Sequence, residues 1–483
     1  MKKYVLLAFI ALFCVSSSAW AQYVKLTSEN GAVSWIPIEG TIDGTNIELF
    51  KEIWESSIDK NTKGSIDLSQ VWSQSGGEGN HFQVTSIGEY AFYRCSSLTS
   101  VTIPSSVTSI GNFAFAVCSG LTYITIPSSV TSIGKSAFSD CYSLTSIEIP
   151  SSVISIGNNA FSSCIGLNKV IVKDLAAWCN ISFGNSESNP LYNAHHLYSD
   201  EETEITKLTI PNSVTTIGKS AFSRCTGLTS ITIGNGVTTI GQSAFKDCSG
   251  LTSVTIPNSV TTIGQIAFSN CYSLKSVEIP NSVTIIGDEA FQYCSGLTSV
   301  TIPSSVTSVG AYAFYNCLNM ASITSEIINV FETGENAFRN CENATLYVPK
   351  GLVTQYQNTP DWNRFSNIEE IINYIPFSLS CNNKGKVIIN EGVQFTNDMG
   401  DVSVKEELDN TFIFQPNDNC ALSQVLINGQ DVTDSIVNNR LTMKVNKNSN
   451  MIVLFDNKGY DVNDDGKVDI SDVVKLVNVI LVQ

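Results

Sequence analysis

The chain has 483 residues (52.3 kDa), 43% hydrophobic and only 15% charged, which is too apolar for disorder and long enough for several domains. Forty-four acidic against 27 basic residues give a net charge of −17, which excludes a general phosphate-binding surface, so nucleic acid and anionic membranes are not expected partners. Three histidines leave little room for histidine-based metal or acid–base chemistry.

Residues 1–21 read as a secretory signal peptide: Lys2 and Lys3 form the basic start, Tyr4 to Val15 the apolar run, and Ala19-Trp20-Ala21 the small-x-small cleavage site. The mature chain would begin at Gln22 with a charge of −19, from 25 basic and 44 acidic residues. The apolar run of about 12 residues is too short for a hydrocarbon core that needs about 20, and no later segment spans one, so no membrane span is expected. Residues 22–84 hold Trp35, Trp54 and Trp72 without a repeat, and ELFKEIWESSI (48–58) has helical apolar spacing. They are expected to form an N-terminal cap on the region that starts at residue 85.

From 85 to 346 a unit of 23 residues recurs. Cysteine marks it at Cys95, Cys118, Cys141 and Cys164, again at Cys225, Cys248, Cys271, Cys294 and Cys317, and in a degenerate copy at Cys341. In each unit an alternating stretch, Leu98-x-x-Val101-x-Ile103, reads as a strand stopped by Pro104. Val107 and Ile110 open a second extended piece, Gly111 permits a tight turn, and Ala114, Phe115 and Cys118 fall at helical one-turn spacing. So short a unit buries its apolar side only by stacking. The expected fold is a repeat solenoid with a parallel β-sheet and short helical turns, its ladder cysteines buried as free thiols rather than paired.

The unit C-x-x-L-x-x-[VI]-x-I-P-x-[SN]-V-[TI]-x-I-G-x-x-A-F resembles the BspA-type leucine-rich repeat of bacterial surface proteins. The resemblance implies a leucine-rich-repeat solenoid, often exported, in a family with members that act as adhesins for host matrix proteins or other bacteria. Nineteen of the 27 outward strand positions in nine units are Ser or Thr, a hydroxyl face suited to many weak polar contacts. Tyr123, Glu148, Lys169, Lys207, Lys275 and Glu278 interrupt it and are the candidate ligand-face residues.

An irregular insertion at 165–204 carries Trp178, Phe183, Tyr192, His195, His196 and Tyr198, which either pack on the solenoid or form a binding loop. Residues 347–372, with Tyr356, Trp362 and Phe365, are expected to cap the other end. Short β-type runs from 373 to 456 predict a small β-sandwich-like module, loosely similar to internalin-type modules, in which Cys381 and Cys420 could pair or stay apart.

The segment 457–483 predicts a calcium loop-helix. Asp461, Asn463 and Asp465 fill loop positions 1, 3 and 5, Gly466 the sharp turn, Lys467 offers its carbonyl at 7, Asp469 fills 9 and Asp472 fills 12. The segment resembles half of a type I dockerin, which implies structural Ca2+ and a possible cohesin-like partner. No catalytic motif is present in the sequence, so no catalytic residues and no enzyme are expected. The expected function is an exported, non-catalytic, adhesin-like protein, secreted or at the cell surface of a bacterium, recognising host extracellular matrix protein, glycan or a neighbouring cell. The alternative is a non-catalytic component of an extracellular polysaccharide-processing assembly, docked through its C-terminus.

Overall fold

The structure, a computed structural model, describes residues 83–372 without a break, most of 374–457 and, ahead of residue 83, the strands lying between Gln22 and Ser73. The expected signal peptide, Trp54 and the calcium segment with its ligands from Asp461 to Asp472 lie outside the described residues. The chain divides into two compact units, Met1–Glu370 and Ile371–Gln483.

The first unit is a solenoid whose coil follows the repeat. Leu121, Ile124 and Ile126 turn inward from the strand Tyr123–Thr125 and its flanks, while Thr122, Tyr123 and Thr125 are exposed, the two-residue alternation of a strand buried on one side. Strands pair in parallel with their counterparts in the next coil, as in Ser230↔Ser253 and Ile231↔Val254, and this long sheet runs in three sections, with breaks after Tyr123–Thr125 and after Leu197–Tyr198. The second extended piece also builds a sheet: Ser109–Ile110 pairs with Ser132–Ile133, and that strand pairs with Ser155–Ile156. Because neighbours occupy identical repeat positions, a register slip would turn every buried side chain outward.

The expected helical turns do not form. Two residues in each of the ten turn segments take left-handed backbone, for example Phe113 (φ 54°) and Val117 (φ 60°), which an α-helix does not accommodate. Alternate N–H groups close four-residue turns, as Ala116 to the Phe113 carbonyl (3.1 Å), and the others reach the next coil, as Phe115 to Ala137 (2.7 Å) and Val117 to Ser139 (2.7 Å). A helix would satisfy its backbone internally; the turn stack instead ties coil to coil. Most left-handed positions carry residues that tolerate the conformation or are not β-branched, but Val117 (φ 60°) and Ile266 (φ 59°) are β-branched and strained there. Ile266→Asn is therefore expected to stabilise the solenoid by about 1 kcal/mol, read as an upward shift of the urea midpoint.

The glycine before the turn has a different reason from the one its sequence position implied. None of the glycines of this column has positive φ; a Cβ on Gly134 would instead lie 2.5 Å from the carbonyl carbon of Gly111 and 2.6 Å from the Asn112 nitrogen. Backbone cannot move aside as a side chain can. Gly134→Ala is expected to cost about 2–3 kcal/mol in urea unfolding by forcing two coils apart.

Inside, the phenylalanines form stacks: Phe92, Phe115, Phe138 and Phe161 with centroids 5.1–5.4 Å apart, then Phe222 through Phe338 at 5.3–5.6 Å. The ladder cysteines are free and buried beside them, and eight of the ten donate Sγ–H to a phenylalanine carbonyl one coil back, as Cys141 to Phe115 (3.2 Å) and Cys271 to Phe245 (3.3 Å).

The insertion is an irregular coil. Its strand Ser182–Phe183 continues the short sheet from Ser155–Ile156, and Leu197–Tyr198 continues the long sheet from Lys169–Ile171. The helix Leu175–Cys179, N-capped by Asp174, buries Trp178, whose Nε1–H donates to the Ala221 carbonyl at 2.8 Å. Trp178 and Phe183 are both buried, with centroids 5.4 Å apart, so these two follow the packing alternative for the insertion's aromatics.

At the N-terminal end, Gly64–Ser73 pairs in parallel with Leu98–Thr102 and antiparallel with Gln22–Ser28, while Asn46–Leu49 adds to the short sheet through Gln83–Ile87. Glu48 and Leu49 are therefore strand residues rather than the start of the expected helix; residues 50–58 are outside the described set. At the other end Thr345–Val348 and Asn367–Glu370 extend the long sheet, and Trp362 and Tyr356 are fully buried, Trp362 standing 4.7 Å from Phe338 where the stack stops.

The described residues of the second unit form two sheets. One runs in the order Asp398–Lys405, Tyr374–Cys381, Asn450–Asn457, Cys420–Ile427, Gln430–Asp431; the other Val393–Phe395, Gly385–Ile389, Asp409–Pro416, Arg440–Lys444. Phe377, Phe412, Phe414, Val425 and Met451 share one core, as a sandwich-like module requires. Cys381 is a free thiol, so it makes no disulfide with Cys420. The strand Asn450–Asn457 lies between their strands, with Cys381 opposite Val453 and Cys420 opposite Asn457. Two strand spacings of about 4.8 Å already exceed the reach of a disulfide.

Candidate binding face

The outward side of the long sheet is set by its inward side, and its hydroxyls are not equivalent. The first outward threonine of a coil donates Oγ1–H to its counterpart one coil back: Thr122 to the Thr99 carbonyl (3.1 Å), Thr145 to Thr122 (3.3 Å), Thr252 to Thr229 (2.9 Å). Those donors are engaged in holding the coils together. The last outward position of the strands, Thr209, Thr232, Thr255 and Thr301, is exposed to a partner.

The six candidates fall into two groups. Tyr123, Glu148 and Lys169 lie on successive coils before the insertion. Tyr123 is 51% exposed, and its hydroxyl accepts from Thr125 Oγ1 at 2.9 Å. Both Glu148 oxygens accept from Lys173 Nζ (2.8 and 2.9 Å), which raises the Lys173 ammonium above its ordinary pKa. Lys169 Nζ stands 4.9 Å over the Tyr198 ring and 3.8 Å from the Glu201 carboxylate, and donates to the Glu201 carbonyl. Such exposed pairs are screened by solvent and organise the surface more than they stabilise it. Beyond the insertion Lys207 is exposed at the start of the following sheet, and Lys275 and Glu278 are exposed on one coil three strands along it. The two groups are not brought together.

Lys173, Tyr198 and Glu201 were not singled out as ligand-face residues, although they partner Glu148 and Lys169. The pairing of Lys169–Ile171 onto Ser146–Glu148 brings Lys173 to Glu148, and the pairing of the insertion's strand Leu197–Tyr198 onto Lys169–Ile171 brings Tyr198 and Glu201 to Lys169. His195 and His196 diverge: His195 ends a short helix in left-handed backbone (φ 62°) with Nδ1 3.2 Å from the Arg224 carbonyl, whereas His196 Nδ1 is 2.7 Å from Glu204 Oε1. Among the described residues no group of three His, Cys, Asp or Glu side chains is arranged to hold a metal. The six calcium positions from Asp461 to Asp472 are outside the described residues. On the short sheet of the N-terminal coils, Ser109, Ser132 and Ser155 with Gly111, Gly134 and Gly157 line an open groove of about 650 Å³.

Among solved structures the chain is similar to a leucine rich cell surface protein from Faecalibacterium prausnitzii (25% identity, 60% of this chain and 93% of that one, TM-score 0.31). It is also similar to the pneumococcal vaccine antigen PcpA (18% identity, 70% and 97%, TM-score 0.41) and to a leucine-rich repeat protein from Bacteroides ovatus (23% identity, 74% and 100%, TM-score 0.30). No curated protein matches. The family model described as the BspA type leucine rich repeat region matches in six copies over residues 81–189, 196–295 and 261–382, more than half of the chain. With the 23-residue coil seen in both sequence and structure, the chain belongs to the BspA-type leucine-rich repeat family.

Proposed function

We propose that the chain is an exported, non-catalytic binding protein of the bacterial surface, which recognises a host matrix protein, a glycan or a neighbouring cell through the outward face of its long sheet. The observation that carries this reading is the face itself: one section of the sheet exposes Thr209, Thr232, Thr255 and Thr301 together with Lys207, Lys275 and Glu278, and the first section exposes Tyr123. Weak polar contacts repeated along such a surface add up over a large partner. The 51%-exposed Tyr123 supplies an aromatic anchor of the kind that dominates interfaces.

The test uses the full chain against immobilised matrix proteins, glycans and bacterial surface extract, with calcium and with chelator. Tyr123→Ala and Lys275→Ala are each expected to weaken binding about 10-fold, as loss of an interface anchor does, with no change with chelator. The second reading, a docked component of a polysaccharide-processing assembly, rests on the sequence of the calcium segment. It predicts the opposite result: binding lost with chelator or in Asp461→Ala, and indifferent to Tyr123 and Lys275.

A further inference from the structure

The turn stack carries a cluster that neither the core nor the outward face uses. Tyr315 meets Tyr293 at 5.6 Å and 86° between ring planes, and Tyr312 at 5.5 Å and 84°. Tyr293 is 39% exposed and the other two rings are half-buried. Their backbones are tied together: the Tyr293 N–H donates to the Tyr315 carbonyl (2.8 Å) and the Tyr315 N–H to the Tyr312 carbonyl (3.1 Å). The Tyr312 hydroxyl accepts from Asn336 Nδ2 at 3.3 Å, which fixes that ring further. Two aromatic rings meeting at right angles at this spacing form a corner in which a cation lies within about 6 Å of both centroids, the range of the cation–π attraction.

Elsewhere the solenoid covers aromatic faces with its own cations. Arg94 lies 5.0 Å over Tyr93, Lys135 5.7 Å over Phe113, Lys169 4.9 Å over Tyr198 and Arg224 3.9 Å over Tyr192. Among the described residues no cation stands over Tyr293, Tyr312 or Tyr315, although Arg339 holds the repeat position of Tyr315 in the following coil. Glu289 holds the repeat position of Tyr312 in the preceding coil, with its N–H on the Ala311 carbonyl (2.8 Å), and so adds a carboxylate to the same surface. The chain as a whole carries a charge of −17, which draws cations towards it.

We propose that the corner formed by Tyr293, Tyr312 and Tyr315 binds an organic cation: the ammonium or guanidinium group of a ligand. A methylated ammonium headgroup and a lysine or arginine side chain share this chemistry. The site is independent of the outward-face reading and would stand if that reading failed.

The experiment is a ligand-observed NMR titration of the full chain with choline, butylammonium and ethylguanidinium, alongside the neutral carbon isostere of choline and methyl glucoside. Millimolar binding of at least one cation is expected, weakened about fivefold by Tyr293→Leu or Tyr315→Leu and about two- to threefold by Glu289→Gln, and unchanged in Tyr123→Leu. Tyr293 is exposed, so its variant tests the site even where Tyr315→Leu disturbs the fold, which thermal melting reports. Choline binding above butylammonium identifies a methylated headgroup as the source, and the reverse order a basic side chain. Equal binding of the neutral isostere, binding of the glucoside in place of the cations, no binding of any cation, or cation binding indifferent to Tyr293→Leu would each overturn the proposal.

Discussion

Phe245→Ala is expected to lower the stability of the solenoid by about 3–5 kcal/mol, the usual range for emptying a phenylalanine site in a closed core. Phe245 is fully buried between Phe222 at 5.4 Å and Phe268 at 5.3 Å, with both rings nearly parallel to it. Its flanking coils are fixed on both sides, since its N–H donates to the Ala267 carbonyl and the Phe222 N–H to that of Ala244, each at 2.8 Å. The walls therefore cannot fall inward to fill the space. Urea unfolding followed by circular dichroism gives the size of the loss, and amide exchange gives its reach. Because each coil touches mainly its neighbours, exchange should accelerate at Phe222 and Phe268 and stay unchanged at Phe115. A loss below about 1 kcal/mol would show that neighbouring coils do close over the cavity.

The second large effect belongs to the thiols. Burial pushes Cys164, Cys225 and Cys294 up to about 12, against an ordinary thiol value near 9, because a thiolate there has no water to solvate it. At a given neutral pH this lowers the thiolate fraction by about 1000-fold, before access is considered. Iodoacetamide at pH 8 should thus leave the ladder unmodified in the native protein and label it in urea.

The same shift couples folding to pH. Each folded-state value lies above the unfolded one, so the contribution to stability is fully present below about pH 9 and is lost as pH rises towards about 12. The urea midpoint should fall across that window, and less steeply in Cys225→Ala and Cys294→Ala. Disulfides between residues 23 apart, or a midpoint unchanged to about pH 11, would contradict this account.

Much of the molecule was legible in the order of its residues. The spacing of Leu98, Val101, Ile103, Phe115 and Cys118 repeats so regularly that inward and outward positions can be assigned from period alone, and all five side chains are buried. The β character of the second unit was equally open, since its apolar runs are short and bounded by turn residues. The turn segment misled because Ala, Phe and Cys at one-turn spacing suit either a helix or a turn stack. What separates the two is the left-handed backbone at positions such as Phe113 and Val117, for which those residue types give no signal.

By itself, then, the sequence determined the period, the strands, the buried set and the stacking direction, because a 23-residue unit with one apolar side has no other way to bury it. Only the tertiary structure decided how the coils are joined and what their surfaces offer. Whether Thr122 Oγ1 is a donor to a partner or to the Thr99 carbonyl depends on where the preceding coil lies. Whether Gly134 serves a turn or a close approach depends on the backbone of Gly111, and whether Tyr293, Tyr312 and Tyr315 meet depends on two coils and the turns between them. Apart from Tyr312 with Tyr315, these contacts join residues one coil apart, and a chain read one unit at a time records each unit's composition but not the spacing at which the next unit settles on it.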